Sequence, residues 1–297
     1  MQRCMYIFLR TNMKNFPPDH TIYKYHSLCN DVLIIDCISD QWWAYIQDCV
    51  SAGYCSKASQ LLHRHSGIGA DCLIVWRCDE QGIQAYVFNA DGSYGQICIN
   101  GARCLVAHFD RHYKNTTHVY EFRMGSHTLC GALHQNTYGI SLGYGQILAD
   151  SLAICTDNTT FSGSFVDVGN PHYIVRVDSV DEALRYAQTY GLALSTHQTF
   201  SAGANISFLV EDFALGAFSL ITYERGCGLT YACGSAVCAT ATLLRESLLD
   251  NKMYKFQLRG GDCSVMLSCD YVSVYAPVCE IMQGKISSDC FSQTYIK

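Results

Sequence analysis

The sequence predicts an α/β (α+β) chain made of two similar lobes, each a mixed sheet around one central helix. Three observations lead there. One stretch occurs twice: Asn89-Ala90-Asp91-Gly92-Ser93 running into Cys98-Ile99-Asn100-Gly101-Ala102-Arg103-Cys104, and Glu224-Arg225-Gly226-Cys227-Gly228 running into Cys233-Gly234-Ser235-Ala236-Val237-Cys238. Around each copy the chain breaks into short β-rich runs separated by glycines, a strand pattern rather than a long-helix one. Finally, 297 residues with 49% apolar content are enough to bury a large core or two smaller ones.

In chain order, residues 1–20, with Pro17-Pro18, form an N-terminal extension ahead of the first strand. Thr21 to His26 alternates as a strand does, and Val32 to Ile35 pairs with it across the loop Ser27 to Asp31. Trp43, Ile46 and Val50 recur at helical spacing within Gln41 to Gln60, with an interruption expected at Gly53. Cys72 to Trp76 and Ile83 to Phe88 are strands about the turn Asp79 to Gly82, and the second feeds the first thiol loop. The helix opened there continues through Leu105 to Tyr113. Val119 to Phe122 and Ile140 to Leu142 suit an antiparallel sheet. Phe165 to Val168 then runs into the turn Gly169-Asn170-Pro171-His172 and the strand Tyr173 to Val177. Ala183, Ala187 and Tyr190 give Asp181 to Tyr190 one apolar helical face. Asn205 to Val210 and Phe218 to Tyr223 are strands before the second thiol loop, whose helix continues through Ala239 to Leu249. Lys255 to Leu258, Ser264 to Leu267, Val272 to Tyr275 and Val278 to Met282 complete the strands.

Composition narrows the function. A net charge of −6 and a pI near 6.0, with Lys and Arg scattered singly, argue against nucleic acid as the main partner. No run approaches the roughly 18 apolar residues of a membrane span, and Cys4 to Leu9 is shorter than a secretory h-region of about 7 to 15 residues. A cytoplasmic protein is therefore expected. Its 18 cysteines read as reduced thiols, most of them small buried hydrophobes. His63 and His65 have no second cluster at ligand spacing, so no metal is expected.

Context sets Cys98 and Cys233 apart. Each precedes small residues that open an apolar helix, and a helix start presents unpaired backbone N–H groups and the positive end of the macrodipole. Such an end binds a carboxylate and draws a nearby thiol pKa from about 8.5 toward neutrality. Two of them facing each other would hold one carboxylate between two thiols. One thiolate could take a proton from the α-carbon of an amino acid while the other thiol donates one from the opposite face, inverting the centre.

These motifs, with His26-Ser27-Leu28-Cys29-Asn30-Asp31, Arg64-His65-Ser66-Gly67-Ile68-Gly69-Ala70-Asp71, Gly169 to His172 and Ala232-Cys233-Gly234-Ser235, occur in an order and spacing that resemble the diaminopimelate epimerase family, from about Ile22 to about Ile286. The resemblance implies lobes of residues 21–143 plus 279–297, holding Cys98, and 144–278, holding Cys233. Each would be a β-barrel-like sheet around a central helix, with the site in the cleft between them. It implies an isomerase independent of pyridoxal phosphate, with no cofactor, that interconverts LL- and meso-2,6-diaminoheptanedioate for lysine and peptidoglycan precursors. Cys98 and Cys233 would be the acid/base pair. Asn89, Asn170, Asn205, Glu224 and Arg225 match positions that grip mainly the distal end of the substrate, and Asn30 and His172 match other site positions. The amides of Ile99, Asn100, Gly234 and Ser235 would hold the reacting carboxylate. The implied partner is this small amino acid, with no nucleic acid and no membrane; a homodimer stays open.

Physical chemistry supports these roles. A buried amino acid end needs its charges paired, Arg225 suits a bidentate carboxylate contact, and Glu224 suits an ammonium. Three departures bear on substrate choice: Ile99 stands where the family usually has Gly, Tyr94 where it has Glu, and Leu229 where it has Glu. They motivate one alternative, an epimerase or racemase of another amino acid; a second alternative, from a different class, is a non-catalytic amino-acid-binding homologue.

Overall fold

A computed structural model describes residues 21–36, 39–113, 116–156 and 159–286. The extension expected at 1–20 lies outside the described residues. The chain divides into two compact units, with breaks between Tyr138 and Gly139 and between Pro277 and Val278. The expected breaks at 143/144 and 278/279 are displaced, because the strand spanning the first break pairs with a strand of the second unit.

In the first unit, β1 (Thr21–Ser27) and β2 (Asn30–Asp36) form an antiparallel hairpin. α1 (Asp40–Ala52) is capped by Ser39, whose side chain accepts from the Trp42 amide, and ends at Gly53 with φ 72°. α2 (Ser56–Leu62) follows, so the region Gln41 to Gln60 holds two helices divided at the left-handed glycine. β3 (Cys72–Asp79) then lies parallel to β2, and β4 (Gly82–Asn89) returns antiparallel to β3. The short β5 (Tyr94–Gly95) pairs with β4 and leads to α3 (Ile99–His112). β6 (Val119–Met124) is parallel to β4, and β7 (His127–His134) antiparallel to β6. The last described strand, Cys279–Lys285, returns to pair with β1.

Strand alternation sorts this sheet into two faces. Leu33, Leu73, Val75 and Phe88 pack with Trp43, Ile46, Leu61 and Leu62 of α1 and α2. α3 takes the opposite side, touching β1, β2, β3, β6 and β7. Every residue from Ile99 through Asp110 is buried, as expected of a helix wrapped by a sheet rather than laid on it.

The second unit comprises β8 (Thr137–Gly143), β9 (Gln146–Thr156), β10 (Thr159–Asp167), β11 (Pro171–Arg176), α4 (Val180–Ser195), β12 (Asn205–Asp212), β13 (Ala217–Glu224) and β14 (Gly228–Leu229). After these come α5 (Gly234–Leu243), β15 (Met253–Leu258), β16 (Gly261–Leu267) and β17 (Tyr271–Ala276). Two helices differ from expectation. α4 runs beyond Tyr190 to Ser195, with Gly191 interior to it. α5 ends at Leu243 and gives way to a 3-10 turn, Arg245–Ser247, instead of continuing to Leu249.

Both units follow one plan. From the last strand through β1, β2, β3, β4, β6 and β7, neighbours run antiparallel, antiparallel, parallel, antiparallel, parallel and antiparallel. From β9 through β10, β11, β12, β13, β15 and β16 the series is the same. α1 with α2 in one unit and α4 in the other bridge the first parallel pair. α3 and α5 bridge the second, so Cys98 and Cys233 occupy equivalent places, each the N-cap of the central helix.

Candidate active site

In the second unit the parallel register of β11 and β12 sets His172 beside Asn205, and β13 ends nearby at Glu224. Nearly all the expected residues here are linked. Asn170 Nδ2 donates to Ser235 Oγ at 3.2 Å, and His172 Nε2 lies 3.1 Å from Ser235 Oγ and 3.2 Å from Asn170 Oδ1. Asn205 Oδ1 accepts from the Arg225 backbone at 2.9 Å, which turns Asn205 Nδ2 toward His172 Nε2 at 3.4 Å. Glu224 Oε1 accepts from Thr230 Oγ1 at 2.6 Å, and Cys233 Sγ lies 3.3 Å from Ser235 Oγ. The Arg225 guanidinium donates to the Ala202 carbonyl.

Two electrostatic results follow. His172 is buried, and burial followed by the Arg225 charge lowers its pKa to about 3, so the ring is neutral. Cys233 is pushed well above the ordinary thiol range, first by burial and then by the Glu224 carboxylate, against hydrogen bonds from Ser235 and the Ala236 amide. This corrects the expectation that a helix start alone brings the thiol near neutrality. The dipole term falls off over one turn and is outweighed by desolvation at this site. In the resting protein Cys233 carries its proton.

In the first unit, Cys98 Sγ accepts from the Gly101 amide at 3.3 Å and Cys98 O from the Ala102 amide at 2.7 Å. Ile99 and Asn100 fill the first two helical positions, where an α-helix offers its amides no internal acceptor, as Gly234 and Ser235 do in α5. One turn on, the buried Arg103 donates through Nη1 to Asn100 Oδ1 at 3.0 Å and to Ser27 Oγ at 2.8 Å, tying α3 to the β1–β2 hairpin. Cys72, opposite Asn89 across β3 and β4, is held well above its ordinary pKa by a hydrogen bond to Cys98 and by burial. Asn30 donates to Asp71, and Asn89 to Ser93 at 3.0 Å.

Sequence reasoning missed four participants. Thr230 and Cys72 are ordinary residue types whose contacts exist only in the fold. Asp71 and Arg64 stood inside a quoted motif without a role. The three departures are absorbed by packing: Ile99 is buried, Tyr94 packs on Tyr86 and Phe88, and Leu229 joins the core beneath α4. His63 and His65 are exposed, and His63 Nδ1 accepts from the Ser66 amide, which makes the pair a turn.

A family model described as diaminopimelate epimerase matches residues 164–277. The diaminopimelate epimerase of Legionella pneumophila (strain Philadelphia 1) is 28% identical over 284 residues, covering 89% of this chain and 98% of the relative. That of a Synechocystis species is 28% identical over 286 residues, covering 88% and 97%. Over most of its length the chain is similar to diaminopimelate epimerases. Solved structures of other proteins have a similar fold. A hydroxyproline epimerase from Agrobacterium vitis aligns with TM-score 0.69 at 11% identity, over 91% of this chain and 93% of that one. A phenazine biosynthesis protein of the PhzF family from Enterococcus faecalis aligns at 0.63 and 11%, over 90% and 99%. Both share the mixed α+β fold of this chain.

Proposed function

We propose that the protein is a diaminopimelate epimerase that interconverts the LL and meso isomers by proton transfer at one α-carbon between Cys98 and Cys233. The observation that carries this reading is the repeated N-cap: each unit ends the same strand–short strand segment in a cysteine that opens its central helix. The first-turn amides of Ile99, Asn100, Gly234 and Ser235 supply dipoles for the reacting carboxylate, where negative charge builds as the α-proton leaves.

The step balances as one proton in and one out. One sulfur, as thiolate, forms an S–H bond with the α-proton as the C–H bond breaks. The carbanion takes a proton from the other thiol on the opposite face, and the sulfurs exchange roles. The raised pKa of Cys233 fits the donor side of this exchange, and a substrate ammonium near Glu224 would offset the charge that keeps it high. Neutral His172 and the Asn170, Asn205 and Ser235 network hold this end rigid, while Arg225 and Glu224 match the charges of a second amino acid end. Such an enzyme works in the cytoplasm, where thiols stay reduced.

The test is turnover of LL-diaminopimelate in D₂O. The wild type is expected to produce the meso isomer labelled at the α-carbon, and Cys98→Ala and Cys233→Ala each to lose epimerisation. Full turnover by either variant would rule out a two-thiol mechanism. Labelling of a single-ended amino acid at a higher kcat/KM than diaminopimelate would instead favour the reading in which Ile99, Tyr94 and Leu229 redirect substrate choice. Absence of any labelling would leave a binding protein.

A further inference from the structure

Asn30 opens β2, and its side-chain oxygen is a buried acceptor with no hydrogen-bond partner among the described residues. Leaving such a group unsatisfied costs about 1 to 3 kcal/mol, so its persistence needs a reason. The reason lies on the other side of the same amide. Asn30 Nδ2 donates to Asp71 Oδ2 at 3.2 Å, and that oxygen also accepts from the Asp31 backbone amide at 3.0 Å. The other carboxylate oxygen, Oδ1, accepts from Arg64 Nη2 at 2.7 Å. An ionised carboxylate only accepts, so a flipped Asn30 would set oxygen against oxygen. The amide has one permitted orientation, with its oxygen directed away from Asp71.

Asp71 is itself fixed. Its backbone amide donates to Asp31 O at 2.9 Å and to Asp31 Oδ1 at 3.1 Å, and the Arg64 guanidinium spans both carboxylates, reaching Asp31 Oδ1 at 2.8 Å. Lys24 Nζ completes the clamp, 3.0 Å from Asp31 Oδ2 and 2.6 Å from the Gly69 carbonyl. Four charged side chains from β1, β2 and the loop before β3 thus form one network, and its Asp71 carboxylate holds the Asn30 amide.

We infer that Asp71, braced by Arg64, is a positioning residue that locks Asn30 so that its carbonyl oxygen is kept for an N–H donor of the bound amino acid. The inference rests on the epimerase reading above and adds to it a specificity element: this end of the site accepts an ammonium and rejects a group that brings only acceptors. An ammonium keeps its charge throughout α-proton transfer, so the contact stabilises ground and transition states alike, and its loss falls on KM rather than kcat.

Asp71→Asn is the informative variant, because an amide at 71 can no longer accept on both oxygens. KM for LL-diaminopimelate is expected to rise about tenfold, the loss of one charge-assisted hydrogen bond. Arg64→Gln, at a largely exposed side chain that folding tolerates, should raise KM in the same direction by less. In an Asn30→Ala background, Asp71→Asn should add nothing to KM, since Asp71 acts only through Asn30. Asn30 side-chain amide proton resonances, assigned by their loss in Asn30→Ala, should shift in Asp71→Asn. Additive KM effects, a loss confined to kcat or to thermal stability, or unmoved amide resonances would each overturn the inference. If the wild type exchanges no α-proton, the epimerase reading falls, and the amide resonances alone then decide whether Asp71 holds Asn30.

Discussion

His172 is buried without its charge, which ties the stability of the second unit to pH in one direction. Its unfolded pKa is about 6.5 and its folded pKa about 3, so above pH 6.5 both states are neutral and the residue adds no pH dependence. Between those values the unfolded chain binds a proton that the folded chain refuses. Stability therefore falls as pH drops from about 6.5 toward 3, at about 1.4 kcal/mol per pH unit from this residue, and levels off below. His172→Gln removes that contribution. Urea midpoints measured from pH 4 to 8 should show a shallower acid limb for the variant, and equal slopes would mean that the wild-type ring charges in place. The residue types at this site were legible in the sequence, because an Asn-Pro-His turn and a Glu-Arg pair stand in fixed order with the thiol loops. Their electrostatics were not. Whether a helix start lowers a thiol pKa depends on how much water remains, and the burial of Cys233 and its nearness to Glu224 are properties of packed strands.

At the level of elements, periodicity located most strands and the cores of the helices, and punctuation caused the errors. Gly53 and Gly191 look alike in the sequence, yet one ends a helix and the other sits inside one. Gly53 has φ 72° and closes α1 through its amide to the Val50 carbonyl at 3.1 Å. Gly191 lies within α4 because Tyr223 of β13 packs against it, and a Cβ there would come within 2.4 Å of the Tyr223 ring. Two effects compete in Gly191→Ala. Helix propensity favours alanine by about 1 kcal/mol, whereas overpacking of a rigid aromatic costs about 1 to 3 kcal/mol. Packing is expected to win, giving net destabilisation of up to about 2 kcal/mol, read as a lower urea midpoint at unchanged m-value. A stabilised variant would mean that Tyr223 can move aside. Because Tyr223 precedes Glu224 and Arg225, its displacement should also raise KM.

Across the whole molecule, the two units repeat a strand order, and only the cysteine loops betray it in the sequence. Pairing direction leaves no residue signature of its own: β2 and β11 each need apolar faces, and Leu33 and Ile34 satisfy that need as well as Tyr173 and Ile174 do. The repeat matters because it supplies one thiol per unit from equivalent helix starts, and under the proposed mechanism proton removal and proton delivery fall to different sulfurs. That division has an isotopic signature. Suppose unlabelled LL-diaminopimelate turns over in D₂O and the reaction is stopped at low conversion. The abstracted proton then sits on one sulfur while a solvent-equilibrated deuteron arrives from the other. The meso product should be labelled at the inverted carbon from the first turnover, while recovered LL substrate stays largely unlabelled. A single base serving both faces would instead return part of the abstracted proton to the product. Mass spectrometry of early product distinguishes the two, and unlabelled meso product in substantial yield would contradict the division of labour between Cys98 and Cys233.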